Sequence, residues 1–234
     1  MAPAVPLVVP TANAHHLDVL SPLDAFVVTN ANCATTGLVV PLKALLDAFG
    51  PISELHVVSQ QAISGAGYPG VPSLDITENV VPFISGEEDK LESEPQKILG
   101  HWSSDAATFV HEPTLKISAT CTRVPVIDGH LMHVSFKFAD SVTPKPSLAQ
   151  IIKAFEDYSC DEQTQGCPSA PRRPIVVMHE VNRPQPRLDR DTERGYAVCV
   201  GRVRECPLLD FKFTLLVHNT ILGAAGSSLL NAEI

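Results

Sequence analysis

An α+β fold is predicted, and three features of the sequence predict it. From Leu115 onward, short runs of β-branched and aromatic residues recur between turn residues, which describes a mostly antiparallel or mixed sheet. Segments with apolar residues at helical spacing separate some of these runs and place helices on one face of that sheet. The start of the chain instead alternates strand, helix and strand. That order predicts a short β–α–β unit, with two parallel strands joined across a helix.

Leu7-Val8-Val9 reads as a short strand between prolines, and Thr11 to Val19 has room for a short helix. Ala25-Phe26-Val27-Val28 is the next strand, bounded by Ser21-Pro22 and Thr29-Asn30. After it Leu38, Leu42, Leu45, Leu46 and Phe49 recur at helical spacing, so Cys33 falls at a strand-to-helix turn. Asn32, Thr35 and Thr36 offer capping oxygens. Pro41 predicts either a helix beginning near Val40 or a kinked first turn. Ile52 to Ser59 is a strand. Gln60 to Asp75, with three glycines and two prolines, is a loop suited to lining a site. Gly65, Gly67 and Gly70 match GxGxxG, but Pro69 and Pro72 prevent that segment from opening a helix, so no dinucleotide fingerprint is read there.

Glu87 to Gly100 reads as a helix ended by Gly100; its charge run forms a solvated face, and Glu94 and Lys97 stand one turn apart. Leu115 to Cys121, Arg123 to His130 with its Asp128-Gly129 turn, and Leu131 to Phe138 are strands. Ser147 caps a helix reaching Tyr158, with Leu148, Ile151, Ile152 and Phe155 as its apolar face. Cys160 to Pro174 is a surface loop. Ile175 to Met178, Tyr196 to Val203 and Leu209 to His218 are strands, with Gly201 to Glu205 at a sheet edge. Asn219 to Ile234 is a helix whose Gly223, Ala224, Ala225 and Gly226 permit close packing.

The 234 residues are 44% hydrophobic, enough for a sizeable core. A net charge of −9 argues against nucleic acid or an anionic membrane as partner. The cysteines, at positions 33, 121, 160, 167, 199 and 206, include no CxxC pair, so reduced intracellular thiols are expected. No run of 18 apolar residues occurs, and Met1 to Pro10 carries no basic residue; the expected location is cytoplasmic.

A cysteine at a helix N-terminus meets free N–H groups and the positive end of the helix dipole, which lower a thiol pKa. Taken alone, Cys33 is also readable as a small buried hydrophobe, Arg123 as a surface ion-pair residue and His130 as a turn residue. His15-His16 and the His130/His133 pair lack a third ligand at matching spacing, so no metal site is read.

Longer motifs narrow these alternatives. They are Asn-Cys-Ala-Thr-Thr-Gly at 32–37, Gln61 to Ser73, Glu94-Pro-Gln-Lys97, Ser118 to His130, Arg183-Pro-Gln-Pro-Arg-Leu-Asp-Arg, and His218-Asn-Thr-Ile-Leu-Gly-Ala-Ala-Gly. In this order they resemble the aspartate-semialdehyde dehydrogenases of the archaeal and fungal branch, over nearly the whole chain. The resemblance implies an NADP-dependent interconversion of an acyl phosphate and a semialdehyde by a homodimer acting on a small molecule. It implies Cys33 as nucleophile, Gln61 orienting the thioester and His130 as general acid/base. Arg123 would hold a substrate carboxylate. Asn32 adjoins the nucleophile on the substrate side, and Glu94 and Lys97 would meet the substrate's amino group and phosphate. Ser64, Gly65, Ala66, Gly67 and Asn219 would line the nicotinamide nucleotide.

The sequence also departs from the pattern. Ala31 and Ala34 stand where the family usually has proline and serine, Met132 and His133 where it has a glutamate, and Asn182 where it has aspartate. The family's N-terminal Rossmann half, with its glycine-rich turn, is not represented. Residues 1–32 are therefore expected to be a remnant of a nucleotide-binding domain, 33–218 the catalytic and dimerisation domain, and 219–234 a C-terminal helix. NADP binding by this chain alone is expected to be weak or absent. A repurposed cofactor-independent Cys/His enzyme (acyl transfer, hydrolysis, isomerisation or cyclisation) and a non-enzymatic dimerisation remnant are the competing expectations.

Overall fold

The computed structural model describes residues 2–20 and 25–234, so Ser21-Pro22 lies outside the described residues. The strands are β1 (Leu7–Val8), β2 (Thr29–Asn30), β3 (Ile52–Gln61), β4 (His101–Ser103), β5 (Thr108–Val110), β6 (Lys116–Arg123), β7 (His130–Phe138), β8 (Ile175–Met178), β9 (Val198–Glu205) and β10 (Phe211–Val217). The helices are α1 (Pro10–Asn13), α2 (Cys33–Phe49), α3 (Ser73–Ile76), α4 (Glu87–Ile98), α5 (Leu148–Glu156), α6 (Glu162–Gln165), α7 (Pro186–Asp189) and α8 (Gly226–Glu233).

The predicted α+β class holds. Six strands form one mixed sheet in the order β6–β3–β7–β10–β9–β8. β3 runs parallel to β6 and β9 parallel to β8, while the β3–β7, β7–β10 and β10–β9 pairs are antiparallel. Leu55 and Val57 of β3, Val134 and Phe136 of β7, and Phe213 and Leu215 of β10 alternate inward and are buried against α2 and α5. α2 is apolar nearly all round, as a helix enclosed in a core must be. Gly37 lets it approach the sheet: a Cβ there would lie 2.6 Å from Val217 Cγ1. α5 begins with a full capping box between Ser147 and Gln150.

Several expectations need correction. The strand expected at Ala25–Val28 does not form; Phe26 and Val27 are 60% and 66% exposed, and pairing moves to Thr29–Asn30. β2 runs parallel to β1, not to β3. β3 instead takes the longer partners β6 and β7, which bury its apolar alternation more fully. The expected strand from Arg123 to His130 is a connection between β6 and β7, because Pro125 has no N–H to give a ladder. α2 begins at Cys33 and passes unbroken through Pro41. Arg202–Glu205 of β9 lies at an edge, whereas Cys199–Gly201 pairs on both sides. The C-terminal segment opens with a π-helical turn, Ile221–Ala225, before α8.

The charge run of α4 is not a solvated face either. Glu92 Oε1 accepts the Ala119 N–H at 2.9 Å and Glu88 Oε1 the Cys121 N–H at 3.0 Å. Two carboxylates thus stand beside the edge strand β6 where a neighbouring strand would otherwise pair.

Candidate active site

The ends of four strands meet at one margin of the sheet. Gln61 ends β3 and Arg123 ends its parallel neighbour β6, at the same register. β7 runs the other way and begins there with His130, which pairs with Val217 at the end of β10. The N-terminus of α2 points to the same margin. Asn32 caps it, its Oδ1 accepting the Ala34 and Thr35 N–H groups at 2.9 and 3.3 Å. That cap holds Cys33 in the first turn, where Sγ lies 3.1 Å from His130 Nε2. Cys33 is partly exposed, and His130 behind it is fully buried.

Each partner is itself held. His130 Nδ1 accepts the Ala62 N–H at 3.0 Å, and Arg123 Nη1 donates to the Ala62 carbonyl at 2.7 Å. Gly65 closes over both: a Cβ there would come within 3.0 Å of Arg123 Nη1 and of His130 Cε1. The exposed stretch Gly65–Gly67 is tied down by Asn219, whose Nδ2 donates to Ser64 Oγ and whose Oδ1 accepts the Gly129 N–H, both at 2.8 Å.

Sequence reasoning missed Glu87. Its carboxylate accepts Asn32 Nδ2 at 2.9 Å, Gln61 Nε2 at 3.0 Å and Lys90 Nζ at 3.2 Å. It joins the cap of the cysteine helix to the end of β3. The signal was present, since Glu87 and Lys90 repeat the spacing of Glu94 and Lys97. The expected pair sits deeper in the scaffold. Glu94 Oε2 accepts the Asn32 backbone N–H at 2.8 Å, while Lys97 Nζ donates to the Ala2 and Val5 carbonyls, both at 2.7 Å. Lys97, expected to meet the substrate's phosphate, here anchors the N-terminal segment. Gly223 was noted only as a packing residue; a Cβ there would lie 2.8 Å from Cys33 Cβ, so its absence makes room for the thiol.

The electrostatics also correct the expected thiol. Burial first, and then the Glu87 carboxylate, push Cys33 up to about 11. The Ala34 and Cys33 amides and Arg123 act in the expected downward direction but are outweighed. His130 is pushed down to about 3 by burial, with Arg123 and His218 adding to it. Burial raises Glu94. Cys121, on β6 beside this cluster, is raised to about 12 by burial and the Glu87 and Glu88 charges. His133 projects from the opposite face of β7 to His130, and no group of three potential ligands that could hold a metal ion occurs among the described residues.

A cysteine at a helix N-terminus, touching a buried histidine at the margin of a mixed sheet, defines a thiol–histidine protein of the α+β class. Comparison with known proteins gives that class a family. Residues 42–222 match the family described as semialdehyde dehydrogenase, dimerisation domain. The chain is 52% identical over 242 residues to an aspartate-semialdehyde dehydrogenase of Aspergillus fumigatus, and 46% identical over 240 residues to one of Archaeoglobus fulgidus. These alignments take in 99% and 100% of this chain and 66% of each relative. A crystal structure of the Candida albicans aspartate semialdehyde dehydrogenase with NADP superposes with a TM-score of 0.91 at 46% identity, covering 99% of this chain and 67% of that one. The chain belongs to the aspartate-semialdehyde dehydrogenase family, and it spans about two thirds of the length of the curated relatives it matches. No described helix is long and apolar enough to cross a membrane.

Proposed function

We propose that this chain carries the thiol chemistry of an aspartate-semialdehyde dehydrogenase, interconverting an acyl phosphate and a semialdehyde. The observation that carries this reading is the 3.1 Å contact between Cys33 Sγ and His130 Nε2 at a capped helix N-terminus. In the acyl-transfer direction the Cys33 sulfur bonds the acyl carbon, the carbon–oxygen bond to phosphate breaks, and phosphate leaves with that electron pair. His130 lies against the reacting sulfur, and Gln61 orients the acyl group. Arg123 keeps N–H groups beyond the one spent on Ala62, enough to grip a substrate carboxylate. We assign the amino group and the phosphate to Glu87 and Lys90 rather than to Glu94 and Lys97, because the first pair adjoins Asn32 and Gln61.

The Ser64–Gly67 stretch, with Asn219 behind it, fits the nicotinamide end of NADP, since glycines there let a flat ring approach His130. NADP supplies the hydride acceptor or donor when bound. We expect this chain alone to bind it weakly, because no described strand–turn–helix is glycine-rich enough to cradle a pyrophosphate. Saturable NADPH binding at micromolar concentration in calorimetry would contradict that; none at millimolar would favour cofactor-independent use of the same thiol. We further propose a cytosolic homodimer formed on the sheet face opposite α2, where His56 and His133 stand exposed beside a partly buried Val58, with residues 33–218 as its catalytic unit. A monomer in concentrated solution, by sedimentation, would refute the dimer.

The main test does not need the nucleotide. The purified chain is incubated with the acyl phosphate and its intact mass is measured. One acyl adduct on Cys33, abolished in Cys33→Ala, is expected; equal labelling of Cys33→Ala ends the proposal.

A further inference from the structure

We infer that the π-helical turn Ile221–Ala225 is a positioning element for the nucleophile: Gly223 fixes where the Cys33 backbone sits, and so how far the sulfur reaches into the site. This deepens the proposed function and rests on it only for Cys33 as the reacting group. A Cβ on Gly223 would lie 2.8 Å from Cys33 Cβ, 3.2 Å from Cys33 Cα and 3.4 Å from the Cys33 carbonyl oxygen. All three atoms belong to one residue, and none of them moves when the thiol changes rotamer. A methyl group there is accommodated only by a shift of the Cys33 backbone or of the turn itself.

The turn has no room to retreat. It is closed by bonds that reach five residues back: Gly223 N–H to the His218 carbonyl at 3.0 Å, Ala225 N–H to the Thr220 carbonyl at 3.2 Å, and Gly226 N–H to the Ile221 carbonyl. The Ser227 hydroxyl donates to the Leu222 carbonyl in the same register, and Leu222 is fully buried. Ile221, two residues before Gly223 and so on roughly the opposite face of the turn, is backed by Gly195, where a Cβ would lie 3.1 Å from Ile221 Cβ. On the other side α2 is pinned one turn beyond Cys33, where a Cβ on Gly37 would lie 2.6 Å from Val217 Cγ1. What yields is the first turn of α2, since helix ends open more easily than their interiors.

Turns of this kind are rare and recur at functional sites. Here the segment from Val217 to Gly223 runs along the first turn of α2, from Gly37 to Cys33. Within it Asn219 holds Ser64 Oγ and the Gly129 N–H, both at 2.8 Å. One stretch of chain thus sets both the sulfur and the Ser64–Gly67 loop, and fixes the space between them. Sulfur and acyl carbon must approach to about 3–3.5 Å in the reactive geometry, and a misplacement of about 1 Å can cost about 10²-fold in rate.

The test is Gly223→Ala, read in two ways. In its crystal structure the Cys33 backbone should be displaced by at least 0.6 Å, the step from 2.8 Å to the 3.4 Å of an ordinary contact, with α2 in place from Gly37 onward. In acyl-adduct formation followed by intact mass, the maximal rate should fall about 10–100-fold while the half-saturating acyl phosphate concentration stays within about twofold. Ser227→Ala, which removes one bond from the turn and little volume, is the milder arm and should lower the maximal rate about threefold. A Gly223→Ala structure in which Cys33 keeps its place and the turn shifts instead overturns the inference. So does an unchanged maximal rate, or a loss carried by the half-saturating concentration alone. If Gly223→Ala does not fold, Ser227→Ala decides: an unchanged rate in that variant overturns the inference. If the adduct of the unaltered chain forms elsewhere than on Cys33, the proposed function fails, while the displacement in the crystal structure still decides the positioning.

Discussion

Helix α4 carries one pattern twice, and the two copies do different work. Glu87 and Lys90 form a pair one turn apart; Glu94 and Lys97 repeat it seven residues later, on nearly the same stripe. The first pair meets the thiol site. Glu87 holds the Asn32 and Gln61 side chains, and the Lys90 side chain remains half exposed. The second pair is structural in its contacts. Glu94 grips the Asn32 backbone, and Lys97, 2% exposed, ties α4 to the Ala2 and Val5 carbonyls beneath the Phe109 ring. Spacing along a helix tells which side chains share a face. It does not tell how far along that face a site lies.

The largest expected effect separates the two lysines. Lys97→Met leaves two carbonyls without their donor and removes the charge over Phe109. It should cost about 2–4 kcal/mol. For a chain of this size that is a fall of roughly 5–15 °C in Tm. Lys90→Met, at a half-exposed position, should move stability by no more than about 0.5 kcal/mol. Calorimetric melting of both variants decides it, and equal losses would erase the distinction.

A smaller effect separates the two glutamates and is read at the thiol. The Glu87 charge disfavours the Cys33 thiolate, so Glu87→Gln should lower the thiol pKa and enlarge the thiolate fraction at a given pH. Alkylation by iodoacetamide near pH 8 should speed up roughly threefold to tenfold. Glu94→Gln should leave the pH profile of alkylation in place, since Glu94 faces the Asn32 amide rather than the sulfur. Identical shifts in both variants would show that α4 acts on the thiol only through its net charge.

What could be read beforehand follows the same division between local and long-range causes. The Asn32 cap, the Ser147 helix and the alternation of β7 are written in neighbouring residues and formed as expected. The grouping of Cys33, Gln61, Arg123 and His130 was legible through the family's motifs, not from spacing. Pairing partners were not legible, because a strand's neighbour depends on which distant surface buries more. So β2 joined β1, and β3 joined the main sheet. The direction of the thiol's pKa was missed for a related reason. Helix N–H groups act locally and could be counted, whereas burial and the Glu87 charge arrive only with the fold.

The smallest effect tests the neighbouring stripe of α4, where Glu88 and Glu92 occupy the edge of β6. Each carboxylate satisfies one backbone N–H, a net contribution of about 0.5–1.5 kcal/mol or somewhat more for a charged acceptor. The two should not be equal. Cys121 is buried, so its amide has no easy route to water when Glu88→Ala removes its acceptor; Ala119 is only partly buried and recovers more from solvent after Glu92→Ala. Glu88→Ala should therefore be the more destabilising change, and hydrogen exchange at the Cys121 amide should accelerate more than at Ala119. The double variant also uncovers two unpaired donors on an eight-residue edge strand, a surface that favours pairing with another chain, so concentration-dependent association should accompany it. If both amides stay protected and the double variant remains dispersed, the edge is guarded by the Val81–Arg123 backbone bridge instead. The acidic run would then owe its place to the thiol site alone.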